Sequence, residues 1–312
     1  MSGSAWPLLP YAPWKDTCET LQLWTQIVGK VRLAQTPWLN HSWHVPLYVT
    51  ARGLSTSLVP HGQGAFDIEF DFVEQVVRLR SADGAARDVP LEPMSVAAFH
   101  DRVLLALAEL GTPVVIHGAP NEMPAAIPFA EDHAPRAYDP EPVRRFWRAL
   151  TQAHRVLSQF RTRFLGKASP VHFFWGSFDL ATTRFSGRRA PPHPGGVPHL
   201  PDDVAREAYS HEVSSAGFWP GGGAIDYPAF YSYAYPEPAG FRTAPLRPAE
   251  ASFSTDLGEF LLPYEAVRTA PDPDLALMAF LVSTYEAAAD HAGWDRAGLE
   301  CAEGVPGKPR PA

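Results

Sequence analysis

The stretch that decides the fold reads FDIEFDF, from Phe66 to Phe72. Apolar and acidic residues alternate strictly along it, and successive side chains of a β-strand point to opposite faces. The alternation therefore predicts an antiparallel strand with one face in the core and the other toward solvent. The core set is Phe66, Ile68, Phe70 and Phe72, and the outward set is Asp67, Glu69 and Asp71.

Helical patterns flank this strand and recur later in the chain. Apolar residues at three- and four-residue spacing predict a first helix from about Asp16 to Gln35 and a second after Ser95. A third helix is predicted from Asp139 to about Leu165, and a last one from about Pro273 to Ala289. Further strands are predicted at 114–117, 171–185, 209–215, 230–235 and 259–267.

The order of these elements predicts an α+β fold. Each half reads helix, antiparallel strands, helix, so we expect two similar halves, either an internal duplication or two unrelated α+β units. The predicted division has an N-terminal half over 1–118, a Pro/Ala-rich linker over 119–142, a C-terminal half with the pocket over 143–300, and a disordered tail over 301–312.

Composition narrows the class of protein. The chain has 312 residues, 46% of them hydrophobic and 19% charged, which is typical of a globular protein. Its net charge of −8 offers no basic surface for a phosphate backbone, so we expect no nucleic-acid partner. No apolar run approaches ~20 residues and the N-terminus has no signal-peptide pattern, so we expect a cytoplasmic protein with no membrane partner. The two cysteines, Cys18 and Cys301, predict no disulfide framework.

The most informative candidate stretch is VHFFWGSFDLATTRF, from Val171 to Phe185. Read as one strand, it places Trp175, Ser177 and Asp179 on the same face. A buried carboxylate without a partner is costly or becomes protonated. Asp179 therefore indicates either a polar-lined cavity, with Asp179 catalytic and Trp175 and Ser177 binding substrate, or a hydrogen-bonded structural carboxylate at a sheet rim.

A second candidate stretch, YSHEVSSAGFWPGGG, begins at Tyr209. An imidazole titrates near neutrality, so His211 is a candidate acid/base group, although a lone histidine is more often structural. Trp219, and Tyr233 on the next strand, suit the wall of a ligand pocket. The triple glycine lacks the frame of a phosphate-binding loop and predicts a tight bend or a flexible lid.

Arg184 and Arg188 follow the strand that carries Asp179. Guanidinium groups bind anions through paired hydrogen bonds, so both are candidate substrate-binding residues. The alternative is that they pair with acidic groups of the surface.

Three histidines suggest a metal-dependent variant of the function. His44, His172 and His211 are candidate ligands, although no short motif such as HExxH supports them. On a regular strand His172 faces away from Asp179, so the metal site and the Asp179 pocket are partly exclusive.

Several long runs resemble the bacterial domain-of-unknown-function family 5996. They include HVPLYVTARGLSTS from His44, SPVHFFWGSFDLATTRFSGRRAP from Ser169, YSHEVSSAGFWPGGG from Tyr209 and GEFLLPYEAVR from Gly258. The resemblance extends from Trp6 to about Leu299 and implies one family-length unit. It implies no reaction, cofactor or catalytic residue.

The candidate residues together predict an enzyme that acts on a small anionic or aromatic molecule by acid/base chemistry in an aromatic-lined pocket. The alternatives are a non-catalytic protein that binds a small ligand, or a metalloenzyme with histidine ligands. The sequence leaves the cofactor and the oligomeric state open.

Overall fold

The first half of the chain folds into a sheet backed by two helices. The computed structural model describes residues 5–123 and 125–310. Helices α1 (Lys15–Gln35) and α2 (Val96–Glu109) confirm the first two predicted helices, and the Ser95 side chain caps α2 by accepting from the Ala98 amide. The strands are β1 (Tyr48–Val49), β2 (Gly53–Ser55), β3 (Val59–His61), β4 (Gly64–Asp71), β5 (Val76–Ser81) and β6 (Ala86–Pro90). Their order is β1-β2-β4-β5-β6, with β3 also paired to β4.

The stretch FDIEFDF forms β4 and its end, and its four apolar side chains are buried as predicted. The expectation that the acidic side chains face solvent is wrong for Glu69 and Asp71, which are buried. Two arginines lie across this face: Arg80 of β5 binds Glu69 at 3.0 Å, and Arg52, just before β2, binds Asp71 at 2.5 Å. Ion pairing therefore covers the face that alternation assigned to water.

The second half builds a second antiparallel sheet. Its strands are β7 (His172–Phe174), β8 (Asp179–Arg189), β9 (His211–Trp219), β10 (Ala229–Tyr235), β11 (Ser252–Ser254) and β12 (Glu259–Pro263), in the order β11-β12-β10-β9-β8-β7. The helices are α3 (Pro140–Arg161), α4 (Asp202–Ala208), α5 (Tyr264–Arg268), α6 (Pro273–His291) and α7 (Arg296–Leu299). Helices α3 and α6 pack against β8, β9 and β10 and leave the opposite face of the sheet for the site.

The prediction of one strand over 171–185 is wrong. β7 and β8 form a hairpin in which Phe174 pairs with Asp179, and residues 175–178 make the turn. Phe178 takes a positive φ of 61°, a conformation uncommon for a bulky residue. Its ring is buried in the core and stacks on Phe146 at 5.4 Å, so core packing holds the turn that the alternation pattern concealed.

The two sheets are joined through the backbone. Leu47, just before β1, and Phe173 of β7 exchange two hydrogen bonds of 2.9 and 2.7 Å. Trp147 of α3 also donates from its indole nitrogen to the Thr50 carbonyl at 3.1 Å. The α+β class is confirmed. The two sheets differ in strand order, and the internal duplication remains a hypothesis.

Two other strand predictions are wrong, and the predicted linker and tail contain packed or hydrogen-bonded residues. No strand forms at 114–117, and 264–268 is helix α5 rather than strand. The segment 119–142, predicted as a linker, is packed: Phe129 is fully buried and Tyr138 nearly so. Within the predicted disordered tail, Gly304 and Arg310 donate hydrogen bonds to Thr162 at the end of α3. Residues 311 and 312 lie outside the described residues.

Candidate functional site

Two cavities lie against the open face of the second sheet. The first, which we call the acidic cavity, has a volume of about 580 Å³, and the second, the apolar cavity, about 520 Å³. They meet at a shared wall, and the residues common to both are Glu122, Gly176, Ser177, Asp179, Tyr209, Tyr231 and Tyr233.

The two cavities differ in chemistry. The acidic cavity is lined by Glu19, Glu122, Asp132, Asp179 and Glu259, and its one lining cation among the described residues, Arg136, is paired with Asp132 at 2.5 Å. The apolar cavity is lined by aromatic and aliphatic side chains that include Leu33, Trp43, Phe174, Trp175, Phe185 and Leu200. A ligand that crosses the shared wall would meet carboxyl groups on one side and apolar surface on the other.

Asp179, the first residue of β8, is the centre of the shared wall. It is nearly fully buried, and both carboxylate oxygens accept hydrogen bonds: Ser177 donates to Oδ1 at 2.7 Å and Tyr231 donates to Oδ2. Burial raises the pKa of Asp179, and the two hydroxyl groups only partly offset that rise. The carboxyl group is therefore fixed in position and is more basic than an exposed aspartate.

Gly217 on β9 makes the contact between Asp179 and Tyr231 possible. β9 lies between β8 and β10, and Gly217 pairs with Ala181 on one side and Tyr231 on the other. A Cβ at this position would overlap the Leu180 carbonyl oxygen and lie 2.6 Å from Cζ of Tyr231. The missing side chain thus opens a path across the middle strand for the Tyr231 ring.

Two glutamates, Glu122 and Glu259, line the acidic cavity together with Asp179. Burial, with the charge of Asp179 second, raises the pKa of both Glu122 and Glu259 to about 7. Glu122 packs against the bare backbone of Gly176, where a Cβ would overlap its carboxylate. No arginine or lysine of the described residues contributes to the pKa of Glu122, Asp179 or Glu259, so these three carboxyls are not neutralised by an ion pair.

The raised pKa of Glu122 predicts a pH-dependent stability. A carboxyl whose folded pKa is about 7 keeps its proton while the unfolded chain releases it above ~4.3, so it destabilises the fold as pH rises through that window. We expect Glu122→Gln to raise the free energy of unfolding at pH 8 by about 1 to 3 kcal/mol and to leave it unchanged at pH 3.5. Urea unfolding at both values measures this. The exposed Glu250→Gln is the control, and an equal effect of both variants at pH 8 would contradict the expectation.

Tyrosines and a glycine turn shape the rest of the acidic cavity. The Tyr209 and Tyr233 hydroxyls lie 2.8 Å apart, and burial raises the pKa of Tyr209 to about 12, so both stay protonated donors at neutral pH. Gly221, Gly222 and Gly223 all have positive φ and turn the chain tightly beside Trp219. The prediction of a bend here is confirmed.

Most of the predicted pocket residues come together. Ser177, Asp179 and Tyr233 line both cavities, Trp219 lines the acidic cavity and Trp175 the apolar one. Trp175 is fixed by a hydrogen bond from its indole nitrogen to the Val45 carbonyl at 3.0 Å. The hairpin turn, rather than one strand face, is what gathers Trp175 and Ser177 beside Asp179.

The two predicted arginines lie elsewhere. Arg184 is buried on the helix-covered face, where it donates to the Phe160 carbonyl and its guanidinium lies 3.5 Å from the Phe160 ring centroid. Arg188 pairs with Glu212 at 2.7 Å and donates to the Ala292 carbonyl just past α6. Neither lines the acidic or the apolar cavity, so the alternative interpretation, structural pairing, fits both residues.

The histidine predictions are not gathered into one site. His211 begins β9 outside the lining of both cavities, 6.0 Å from His41 between ring centroids. His44 packs against Trp38 with the two rings tilted by 47°, and His172 lies against Phe174, where burial lowers its pKa to about 3. Among residues 5–123 and 125–310, no three His, Cys, Asp or Glu side chains are arranged to hold a metal ion, so His44, His172 and His211 do not form the predicted ligand set.

Sequence reasoning missed Glu122, Glu259 and Gly217. Glu122 lies in the stretch interpreted as a linker, and Glu259 is one acid at the start of a strand. Gly217 did carry a signal, since an isolated glycine inside a strand often marks a close approach of another group.

Comparison with known proteins identifies the family. The model of a family of unknown function, DUF5996, matches residues 6–301. The chain belongs to this family. Searches of curated proteins and of solved structures found no match to the DUF5996 chain. In the part of the chain that the structure describes, no helix combines the length and apolarity that a membrane span requires.

Proposed function

We propose that this DUF5996 protein is an enzyme that carries out acid/base chemistry on a small molecule bound across the two cavities, with Asp179 as its central group. One observation carries the proposal: Glu122 and Asp179 lie where the cavities join, Glu259 lines the acidic cavity beside them, and all three carboxyls have a raised pKa with no cation of the described residues contributing to it. Groups poised to gain or lose a proton near neutral pH are what general acid/base catalysis requires.

A buried carboxylate elsewhere in the same chain shows the structural alternative. Asp71 is fully buried, but Arg52 and Arg78 lie within 3.6 Å of it. Although burial alone would raise its pKa, its hydrogen bonds, that of Arg52 foremost, hold the pKa below its ordinary value. The contrast with Asp179 favours a chemical role for the unneutralised group.

In the proposed mechanism, different residues accept a proton, donate a proton and bind the substrate. Asp179 accepts a proton from the bound molecule, because its oxygens retain lone pairs beyond those used by Ser177 and Tyr231. Glu122 or Glu259, whose pKa burial raises to about 7, donates a proton to the same molecule. The Tyr209–Tyr233 pair can donate one hydroxyl hydrogen to a polar atom of the substrate, because the other is used in the hydrogen bond between the two tyrosines.

The second candidate is a protein that holds a small ligand without converting it. The apolar cavity favours it, since aromatic walls alone can bind an apolar molecule. In both cases we propose that the partner is a small molecule rather than nucleic acid. A location in the bacterial cytoplasm also remains a proposal, supported by two free thiols, Cys18 and Cys301.

A conversion assay separates the two candidates. The protein is incubated at pH 7 with a bacterial small-molecule extract in D₂O and in H₂O, and mass spectrometry compares each sample with one that received heat-inactivated protein. The proposal expects a consumed compound and a matching product, and deuterium at a carbon of either one would show that the proton is moved to or from carbon. A compound that co-purifies with the protein through ultrafiltration but is released unchanged would contradict the enzyme and support the binding protein.

A further inference from the structure

A lysine is buried in the wall of the apolar cavity. Lys30 on α1 is only 2% exposed, and it is the one lysine or arginine among the described residues that line this cavity. The chain has 22 arginines but only 4 lysines, and α1 carries this one between Ile27 and Val31, which are also buried. A buried ammonium group is costly unless another group compensates its charge.

Among the described residues, no acidic group compensates the charge of Lys30. The Lys30 ammonium donates to Oδ1 of Asn121, a neutral amide whose own NH₂ group donates to the His199 carbonyl. Burial lowers the pKa of Lys30 to about 8, and no carboxylate of the described residues contributes to that pKa. Two of the three ammonium hydrogens are left for another acceptor.

The surroundings of Lys30 are aromatic. Its ammonium lies 5.6 Å from the centroid of the Trp175 ring, which packs on the bare backbone of Gly29. The apolar walls described above continue from this point to the shared wall with Asp179. Away from the shared wall, where Glu122 and Asp179 lie, the cavity thus offers mainly apolar surface and one lysine.

We infer that the apolar cavity binds the carboxylate of an aromatic or other apolar acid, with Lys30 as the counter-ion. The negative charge of the ligand's carboxylate compensates the Lys30 ammonium, and the apolar part of the ligand packs along Trp175. A single ammonium with two remaining donors suits a carboxylate better than a phosphate, which takes several cationic donors. If the protein is the enzyme proposed above, an acid of this class is its substrate, and that role rests on the proposed function.

Two probes of the same shape test the carboxylate site. Calorimetry at pH 6.5 measures the dissociation constants of 2-naphthoate and of 2-naphthamide, its neutral amide, with the wild-type protein. We expect the carboxylate to bind at least tenfold tighter than the amide. Equal affinities, a preference for the amide, or no binding of either probe would overturn the inference.

Variants assign the preference to Lys30. Lys30→Met and Lys30→Gln should lose the preference for 2-naphthoate over 2-naphthamide. Both variants should still bind 2-naphthamide, which would show that the cavity persists. Lys15→Met, at an exposed lysine on the same helix, should keep the preference. Asp179→Asn should also keep it, so a failure of the proposed chemistry leaves this result standing. A preference that survives both Lys30 variants would overturn the role of Lys30.

Discussion

Replacing Asp179 with asparagine is expected to reduce kcat for the converted compound by about 10²- to 10⁴-fold, the range typical of a lost general acid or base. Asparagine has nearly the same shape and keeps an acceptor oxygen for Ser177 or Tyr231. It cannot take up a proton at neutral pH. Steady-state kinetics should therefore show a large loss in kcat with a small change in KM.

The stability of the variant separates a chemical role from a structural one. Because Asp179→Asn removes the cost of ionising a buried carboxyl group that has no ion-pair partner among the described residues, we expect a melting temperature equal to that of the wild type or higher. Asp203→Asn on the exposed face of α4 is the matched control and should keep full activity. A folded Asp179→Asn protein with activity within twofold of wild type would contradict the proposed mechanism. An unfolded variant would assign Asp179 a structural role.

The second large effect is expected at Gly217. Gly217→Ala places a methyl group against the Leu180 carbonyl and the Tyr231 ring, so either the middle strand or the ring must move. Overpacking of this kind costs about 1 to 3 kcal/mol, and a backbone contact places this site at the upper end. We expect a fall in melting temperature of about 5 °C and loss of the Tyr231–Asp179 hydrogen bond.

Two controls isolate the cause. Gly118→Ala adds the same methyl group where no atom lies within 4 Å and should leave stability almost unchanged. Tyr231→Phe removes the hydrogen bond without the backbone clash, so it should lower activity with a smaller loss of stability. If Gly217→Ala proves as stable and as active as Gly118→Ala, the space that Gly217 leaves for the Tyr231 ring is not required for stability or activity, which would contradict the prediction.

Sequence patterns predicted helices and strands correctly where long-range packing favours the same structure as the local pattern. The helix starts predicted at Ser95 and Asp139, and the burial of the apolar residues around Phe70, depend on neighbours in sequence and are confirmed. The hairpin at 175–178 was not predictable in this way. Its turn depends on burying Phe178 against Phe146 of a distant helix, which outweighs an alternation that continues through the turn.

The candidate site also depends in part on contacts between residues that are distant in the sequence. Asp179 was predictable because a carboxylate among aromatic residues needs an explanation, and its partner Tyr231 belongs to a strand that sequence spacing does identify. Glu122 was not, because a segment without periodicity gives no direction for its side chains. Arg184 was misplaced, since the face it occupies depends on α3 lying over β8.

The most direct test of the central claim is a carboxyl-carbon NMR titration of the protein labelled with ¹³C-glutamate, with Glu122→Gln and Glu259→Gln to assign the two signals. The account predicts that both glutamates titrate near pH 7 and that both values fall in Asp179→Asn, because the charge of Asp179 is one of the causes of the rise. Titration of both groups near the ordinary value of ~4.3 in the wild type would contradict it.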